Sequence, residues 1–402
     1  LDYIETGTKD FWKTSGALFA GGFVTFAILY STQPLLPEFS REFHILPAVS
    51  SLALSLTTGT LAIALLISAV ISGRWGRKNI MGWSLLLSSV IAVFSSFSPD
   101  FLSLLLLRIV QGIVLAGMPS IAMAYVGEEF DTKSLGTAMG LYVSGTSIGG
   151  MFGRIIVGMI SDYFSWKMAL GTVGIVSILC SLWFWAELPK EEHFKSENSV
   201  FTDVYHSFTE HLGSLRLICL FGIGFLLMGG FVTLFNYIGY LLIKPPYNLN
   251  QTEVGWIFIV YLFGTFSSTE MGKLADMKGR GPALTGSLAI MLSGLIATLI
   301  PSLLLKIIGV AVFTFGFFGC HSIASGWVGK IALNNKAQAA SLYLFFYYMG
   351  SSLIGTLGGT VWHLFEWKGI VFLIGLCIVF AFSLETTLLR GEHHYEQWHK
   401  AN

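Results

Sequence analysis

Two arginines stand inside otherwise apolar runs of this chain, and they are its first candidates for chemistry. Arg108 opens Arg108-Ile109-Val110-Gln111-Gly112, and Arg154 closes the glycine-rich run Gly145-Thr146-Ser147-Ile148-Gly149-Gly150-Met151-Phe152-Gly153-Arg154. A guanidinium among apolar residues is costly unless it faces water or a partner, so each could hold an anionic group or steer a proton. Snorkelling to an interface is the structural alternative for Arg108. His321 is the one histidine well inside an apolar run. Imidazole changes charge near neutral pH, which suits a proton site, and a hydrogen-bonded packing role fits equally. Glu38, in Pro34-Leu35-Leu36-Pro37-Glu38-Phe39, is a protonatable gate residue or, as its place at a helix end favours, a solvated loop acid. Phe231, Phe235, Tyr237 and Tyr240 with Asn236, and Tyr343, Phe346, Tyr347 and Tyr348, could furnish an apolar wall for a drug-like ligand, with half of them facing lipid.

Several chemistries are missing. No carboxylate pair, metal cluster or nucleophile with its base emerges, so an enzyme is not expected. The phosphate-binding pattern G-x-x-x-x-G-K-S/T is also missing, which leaves an ion gradient as the energy source and no cofactor. Cys180, Cys219, Cys320 and Cys377 lie in apolar runs without metal-ligand spacing and read as small buried hydrophobes.

The elements that position these groups are membrane helices. Of 402 residues, 54% are hydrophobic and 11% charged, against roughly 25% charged in soluble domains. Twelve apolar runs lie near 14–36, 48–71, 79–97, 101–126, 135–160, 166–186, 214–243, 253–271, 281–300, 303–328, 338–362 and 367–388. Each is long enough to cross a hydrocarbon core about 30 Å thick. The 45 glycines and 11 tryptophans suit lipid-embedded helices, and the alternating strands of a barrel are missing. The expectation is an all-α membrane protein of twelve transmembrane helices. The first six make a bundle over 1–186 and the last six another over 214–402. The polar stretch 187–213 links them, and Phe201, Val204, Tyr205, Phe208 and Leu212 in it recur at helical spacing. That pattern fits an amphipathic surface helix or a floppy connector. Residues 1–13 carry no cleavable secretory pattern, so the first apolar helix is expected to remain.

Lys and Arg sort unevenly. With the N-terminus inside, sixteen fall on one side, five on the other, and Arg108 and Arg154 lie within spans. Basic residues are enriched in short cytoplasmic loops, which puts both termini and the linker in the cytoplasm. Net charge is zero, so nucleic acid is not an expected partner. The chain is also duplicated. Gly117 to Gly127 matches Gly319 to Gly329 at six of eleven positions, 202 residues on, and Leu141-Tyr142, Gly149, Gly158 and Trp166-Lys167 match Leu342-Tyr343, Gly350, Gly359 and Trp367-Lys368 at an offset of 201. Two pseudo-symmetric six-helix bundles follow, with a site expected between them.

Two loops complete the picture: Gly73-Arg74-Trp75-Gly76-Arg77-Lys78, and Gly272-Lys273-Leu274-Ala275-Asp276-Met277-Lys278-Gly279-Arg280. Basic groups at a helix end can meet carboxylates or helix C-termini, and glycine permits the tight turn. Both loops resemble the G-x-L-A-D-R-x-G-R-R loop of the major facilitator superfamily. The Arg108 segment resembles its R-x-x-Q-G motif. The Gly145 to Arg154 run resembles the G-x-x-x-G-P-x-x-G-G motif of its exporting, antiporter branch, and Pro34 to Pro37 resembles a P-x-x-P segment of its drug exporters. The resemblance covers nearly the whole chain. Departures are Gly73 in the acidic place of the first loop, which implies a weakened latch, and Gly150 and Arg154 in place of proline and glycine.

The resemblance implies a multi-pass transporter of the inner, plasma membrane, monomeric, in contact with lipids, protons and a small-molecule substrate. Proton-driven efflux of an amphipathic drug or metabolite by alternating access is the leading function; a proton-coupled importer of an organic anion and a lipid or glycolipid flippase are alternatives. Arg108, Arg154, Phe235, Asn236, Tyr237, Tyr347 and Tyr348 are then cavity candidates, and Arg108, Glu38 and His321 proton-coupling candidates. Arg74, Gly76, Arg77, Gly145, Gly149, Asp276, Gly279 and Arg280 are gating candidates. No carboxylate lies in the middle of the first, fourth, seventh or tenth runs, which the resemblance implies line the cavity, and Glu38, Asp162, Glu270, Asp276, Glu366 and Glu385 fall at or near helix ends. A site for a lipophilic cation would need a deep carboxylate, so a neutral, zwitterionic or anionic cargo is expected.

Overall fold

The computed structural model describes residues 3–193, 201–332 and 334–401, with the backbone alone described at 69–75, 201–205 and 391–401. Its elements run α1 (Lys9–Tyr30), a 3-10 turn (Gln33–Leu35), α2 (Leu36–Glu42), α3 (Pro47–Trp75), α4 (Arg77–Ser95), α5 (Phe101–Leu115), α6 (Pro119–Glu129), α7 (Leu135–Tyr163) and α8 (Trp166–Glu187). After the linker come α9 (Phe201–Gly213), α10 (Leu215–Leu242), α11 (Gln251–Trp256), a 3-10 turn (Ile257–Val260), α12 (Tyr261–Lys278), α13 (Arg280–Ala297), α14 (Leu303–Ile331) and α15 (Lys336–Ala401). Among the described residues, the one β feature is an isolated bridge between Ile4 and Phe130.

Among the described residues, eleven helical stretches are long and apolar enough to cross a membrane, and the last, Lys336–Arg390, holds 55 residues. At about 1.5 Å per residue it would be more than twice the thickness of the hydrocarbon core. Glu366, at φ 51° and ψ −145°, breaks α15 into two crossings, which gives the twelve spans expected.

Local sequence explains where helices start and break. Thr8 caps α1 by accepting from the Phe11 amide, and Asp100 with Ser103 and Asn250 with Glu253 form capping boxes ahead of α5 and α11. The fourth apolar run reads as one continuous helix but is two. It stops at Leu115 and restarts at Pro119, which sits at the first helical position of α6. Proline has no N–H to continue the ladder. In the second repeat His321 stands in that place, and α14 passes through unbroken. The prolines after α1 act differently from a plain stop: the chain turns through Gln33–Leu35 and continues as α2.

The linker carries a helix, α9; among its described side chains Ser207 and His211 are buried and Leu212 is exposed. The His211 ring meets the Asn335 carbonyl at 3.2 Å. Phe201, Val204 and Tyr205 have side chains outside the described residues.

The helices gather into two compact units. The first holds α1–α8 together with Leu242–Phe258, which includes α11; the second holds α9, α10 and everything from Ile259. The duplication recurs in the packing within each. In the first unit α3 packs on α5 and α4 on α8; in the second α12 packs on α14 and α13 on α15.

Candidate functional site

Arg108 and Gln111 knot four spans together. Arg108 is 1% exposed. Its guanidinium donates to the carbonyls of Ile28 (3.1 Å) and Leu29 (2.6 Å) in the last turn of α1, to Ala53 of α3 (2.8 Å) and to the Gln111 side chain (2.5 Å). Gln111 in turn donates to the Ser88 carbonyl of α4 at 2.9 Å. The last carbonyls of a helix lack partners within it and carry its negative dipole end, so a cation there satisfies both needs. Gly112 completes the motif by lack of bulk: a Cβ on it would overlap Thr57 and Thr60 of α3. The sequence suggests a cavity wall for Arg108; the structure places it in packed interior, engaged mainly with backbone.

Arg154, also 1% exposed, is held in a separate cage. Its Nε donates to the Gln33 carboxamide at 2.7 Å, another nitrogen meets the Gly150 carbonyl, and the guanidinium lies 4.1 Å over the Tyr30 ring and 5.0 Å from that of Phe258. Nearby, Glu38 on α2 is half-buried and accepts from the Ser161 hydroxyl, Glu42 accepts from the Trp166 indole, and Asp162 accepts from Thr252 at 2.8 Å. Glu38 is therefore not the solvated loop acid that its helix-end position favours, because the turn Gln33–Leu35 packs on α7 and brings the start of α2 within reach of Ser161.

In the second unit the aromatic clusters form an interior. Phe231 stacks on Phe317 at 3.8 Å and meets Tyr261 edge-on at 5.5 Å, and Phe235 lies 5.3 Å from Tyr261. Tyr237 donates to the Gly355 carbonyl at 2.6 Å and stacks with Trp362. His321 meets the Tyr343 hydroxyl at 2.9 Å and sits 4.6 Å from the Tyr347 ring. Phe231, Phe235, Asn236, Tyr237, Tyr240, Tyr343, Tyr347 and Tyr348 are all buried, and Phe346 is half-buried. The expectation that half of them face lipid does not hold. On α10 the reason is that the helix is covered on most sides, 78% of its most apolar window lying inside, and on α15 that Tyr343 and Tyr347 turn onto His321 of α14.

The two loops that carry basic residues turn alike. Gly76 has φ +83° and Gly279 φ +93°, conformations a side chain rarely adopts. The arginine after each glycine reaches an end of the next-but-one span. Arg77 grips Glu128 of α6 with two bonds, 2.6 and 3.1 Å, and Arg280 donates to the Gly326 carbonyl of α14 at 2.7 Å. Asp276 is exposed. The side chains at Gly73 and Arg74 lie outside the described residues.

An acid from elsewhere serves the first loop. The Glu191 carboxylate, on the linker, lies where a Cβ on Gly76 would be and accepts from the Lys78 amide at 3.3 Å, at the N-terminus of α4. The same segment is held by Lys78 on the Leu188 carbonyl, by Tyr125 on the Pro189 carbonyl (3.1 Å), and by Glu129, which is 3% exposed and accepts from the amides of Glu192 and His193. An anion at a helix N-terminus contributes about 0.3–1 kcal/mol. Glu191→Ala is thus expected to speed tryptic cleavage at Lys190 about two- to fivefold; an unchanged rate would show that the carboxylate does not hold the linker.

Glycines form a seam between α1 and α7. A Cβ on Gly145 would lie 2.8 Å from the Phe19 Cα, on Gly149 2.5 Å from the Phe23 Cα, and on Gly153 2.7 Å from the Ala27 Cα. The backbones touch at every fourth residue, as small residues at that spacing allow. The repeat keeps the contact: a Cβ on Gly350 would lie 2.8 Å from the Phe225 Cα.

Residues 18–244 match the sequence pattern of the Major Facilitator Superfamily. The MFS-type transporter YybF of Bacillus subtilis is 50% identical over 391 residues, 97% of each chain. This chain belongs to the major facilitator superfamily. The inner membrane transport protein YnfM of Escherichia coli is 43% identical to this facilitator, over 97% of its chain and 94% of YnfM. Among solved structures, a bacterial homolog of the human lysosomal transporter Spinster, inward-facing and unoccupied, has TM-score 0.74 at 16% identity, with 96% and 98% of the two chains covered. The nucleoside transporter NupG has TM-score 0.75 at 14% identity, with 94% and 99% covered. At those identities the likeness is one of fold.

This facilitator is accordingly a multi-pass membrane transporter that acts on a small molecule; it is not an enzyme and needs no cofactor. Sequence reading missed Gln33, Glu128, Glu129, Glu191 and Glu385 as partners within it. A signal existed for some. The first loop lacks its own acid, and acids gather at the end of the fourth run and the start of the linker.

Proposed function

We propose that this facilitator is a secondary active exporter that moves a neutral, zwitterionic or anionic amphipathic compound outward in exchange for protons by alternating access. Both termini and the linker lie on the cytoplasmic side, where the basic loops gather. The observation that carries the reading is the glycine seam. Gly145, Gly149 and Gly153 bring α7 against the α1 backbone at three successive levels, and a seam without side chains lets one helix shift along another. The charge of the cargo follows from the buried groups. Arg108 and Arg154 are buried in the first unit, and among the described residues no buried carboxylate lies midway along α1, α5, α10 or α14. A lipophilic cation would find no deep counter-ion there.

The test is flux across proteoliposomes holding the purified transporter, after an imposed pH step. Three probes suffice: a neutral aromatic amide, the anion salicylate and the cation tetraphenylphosphonium. The neutral or anionic probe is expected to move uphill, opposite to the protons. Transport of the cation alone would overturn the charge reading, and movement along with the protons would overturn exchange.

A further inference from the structure

Glu385 is a buried carboxylate of the second unit that the charges around it do not explain. It lies on α15 in the last span and is 1% exposed. Among the described residues it forms no ion pair. The described charged and titratable groups on the elements packed against α15 are engaged elsewhere or exposed: Lys306 of α14 donates to the Thr298 carbonyl, and Lys330 of α14 and His206 and Glu210 of α9 are exposed. On α13, Arg280 donates to the Gly326 carbonyl; on α14, His321 pairs with Tyr343; on α9, His211 meets the Asn335 carbonyl. Cys320 of α14, a buried thiol, also faces it, and Arg390 on α15 itself is exposed.

Its polar contact is with Thr285 of α13, Oε1 to Oγ1 at 2.6 Å. The same Thr285 oxygen stands 3.1 Å from the Gly281 carbonyl. A threonine hydroxyl has one hydrogen to donate and lone pairs to accept with. The Gly281 carbonyl can only accept. Both contacts are hydrogen bonds together when Thr285 donates to Gly281 and a protonated carboxyl donates to Thr285; an ionised carboxylate would take the Thr285 hydrogen and leave the Gly281 contact without one. The fold does not need an acid at this contact. In the first unit, the corresponding packing of α4 on α8 is made by Trp83 against Trp185 and by Ser89 against Ser181 at 3.2 Å.

We propose that Glu385 is a proton-carrying residue of the second unit, neutral while it rests on Thr285. When α13 and the last span part and water reaches the carboxyl, its O–H bond breaks, the proton passes to water and the carboxylate keeps the electron pair; the reverse step reloads it. This rests on the proton-exchange reading above. Carboxylic acids inside membrane spans commonly mark proton paths, and a protonated acid is the form that low-dielectric surroundings tolerate.

The test is infrared spectroscopy of the purified full-length transporter in lipid nanodiscs at neutral pH, wild type minus Glu385→Gln. The expected result is a protonated-carboxyl carbonyl band that shifts in heavy water and is lost in the variant. Glutamine keeps the shape of the neutral acid and can donate to Thr285, so folding is expected to survive. Thr285→Val is expected to move the band, because its hydrogen-bond acceptor is removed. Absence of the band in wild type, or a band unmoved in Thr285→Val, would overturn the assignment. The band does not depend on cargo. A band present while the pH step drives no flux would therefore count against exchange without touching the protonation of Glu385.

Discussion

Replacing Gly149 by leucine is expected to stop transport. Even the first atom of a side chain there would lie 2.5 Å from the Phe23 Cα, so helix α7 must move off α1 or lose its register. Overpacking a tight contact costs about 1–3 kcal/mol, and this collision is with backbone, which cannot turn aside as a side chain can. A barrier raised by that amount slows conformational exchange by roughly five- to 150-fold. Probe flux in proteoliposomes measures the loss, and a thermal melt tells a blocked protein from an unfolded one. Gly149→Ala is expected to be a weaker form of the same defect. Gly136, on the same helix, has open space for 4 Å around the place a Cβ would take, so Gly136→Ala is expected to keep full flux. Normal turnover in Gly149→Leu would remove the seam from the mechanism.

Arg108→Ala is expected to be the most damaging change among the charged residues. It deletes donors to the carbonyls of Ile28, Leu29 and Ala53 and to Gln111, all at once and all out of water. Hydrogen bonds from a charged group contribute about 1.5–3 kcal/mol each. Hydroxyls of Ser31 and Thr57 remain on two of the carbonyls and offset part of the loss. A net destabilisation of about 3 kcal/mol is the expected order, visible as a lower melting temperature together with loss of pH-driven flux. Arg108→Lys is expected to fall between, since an ammonium cannot span three carbonyls on two helices as the planar guanidinium does. A variant that melts like wild type and transports normally would show that the knot is dispensable.

What could be read directly was whatever one helix or one loop decides by itself. Gly76 and Gly279 stand where a turn demands a left-handed backbone, and their loops read as turns. The break before Pro119 and its absence at His321 follow from one missing N–H, although the apolar run around Pro119 hides it. Arg108 is legible as a special residue, since a buried cation needs a reason, but the reason is not. Its acceptors are backbone carbonyls about 55 and 80 residues away, and every residue type offers those. Glu38, Glu191 and Glu385 each read as ordinary acids at chain punctuation. Nothing in their own neighbourhoods distinguishes an acid facing water from one turned onto Ser161, onto the start of α4 or onto Thr285.

Composition, run length and the 201- and 202-residue repeats determined a lipid-embedded bundle of twelve spans made of two related halves, because crossing a bilayer imposes length and apolarity on each helix separately. Tertiary packing alone decided which side chains face inward and whom they meet: the covering of the α10 aromatics, the cage around Arg154, and the linker acid that serves the first loop. In hydrocarbon both faces of a helix are apolar, so hydrophobic pattern no longer marks the inward face. Only close packing and hydrogen bonds between distant segments choose it.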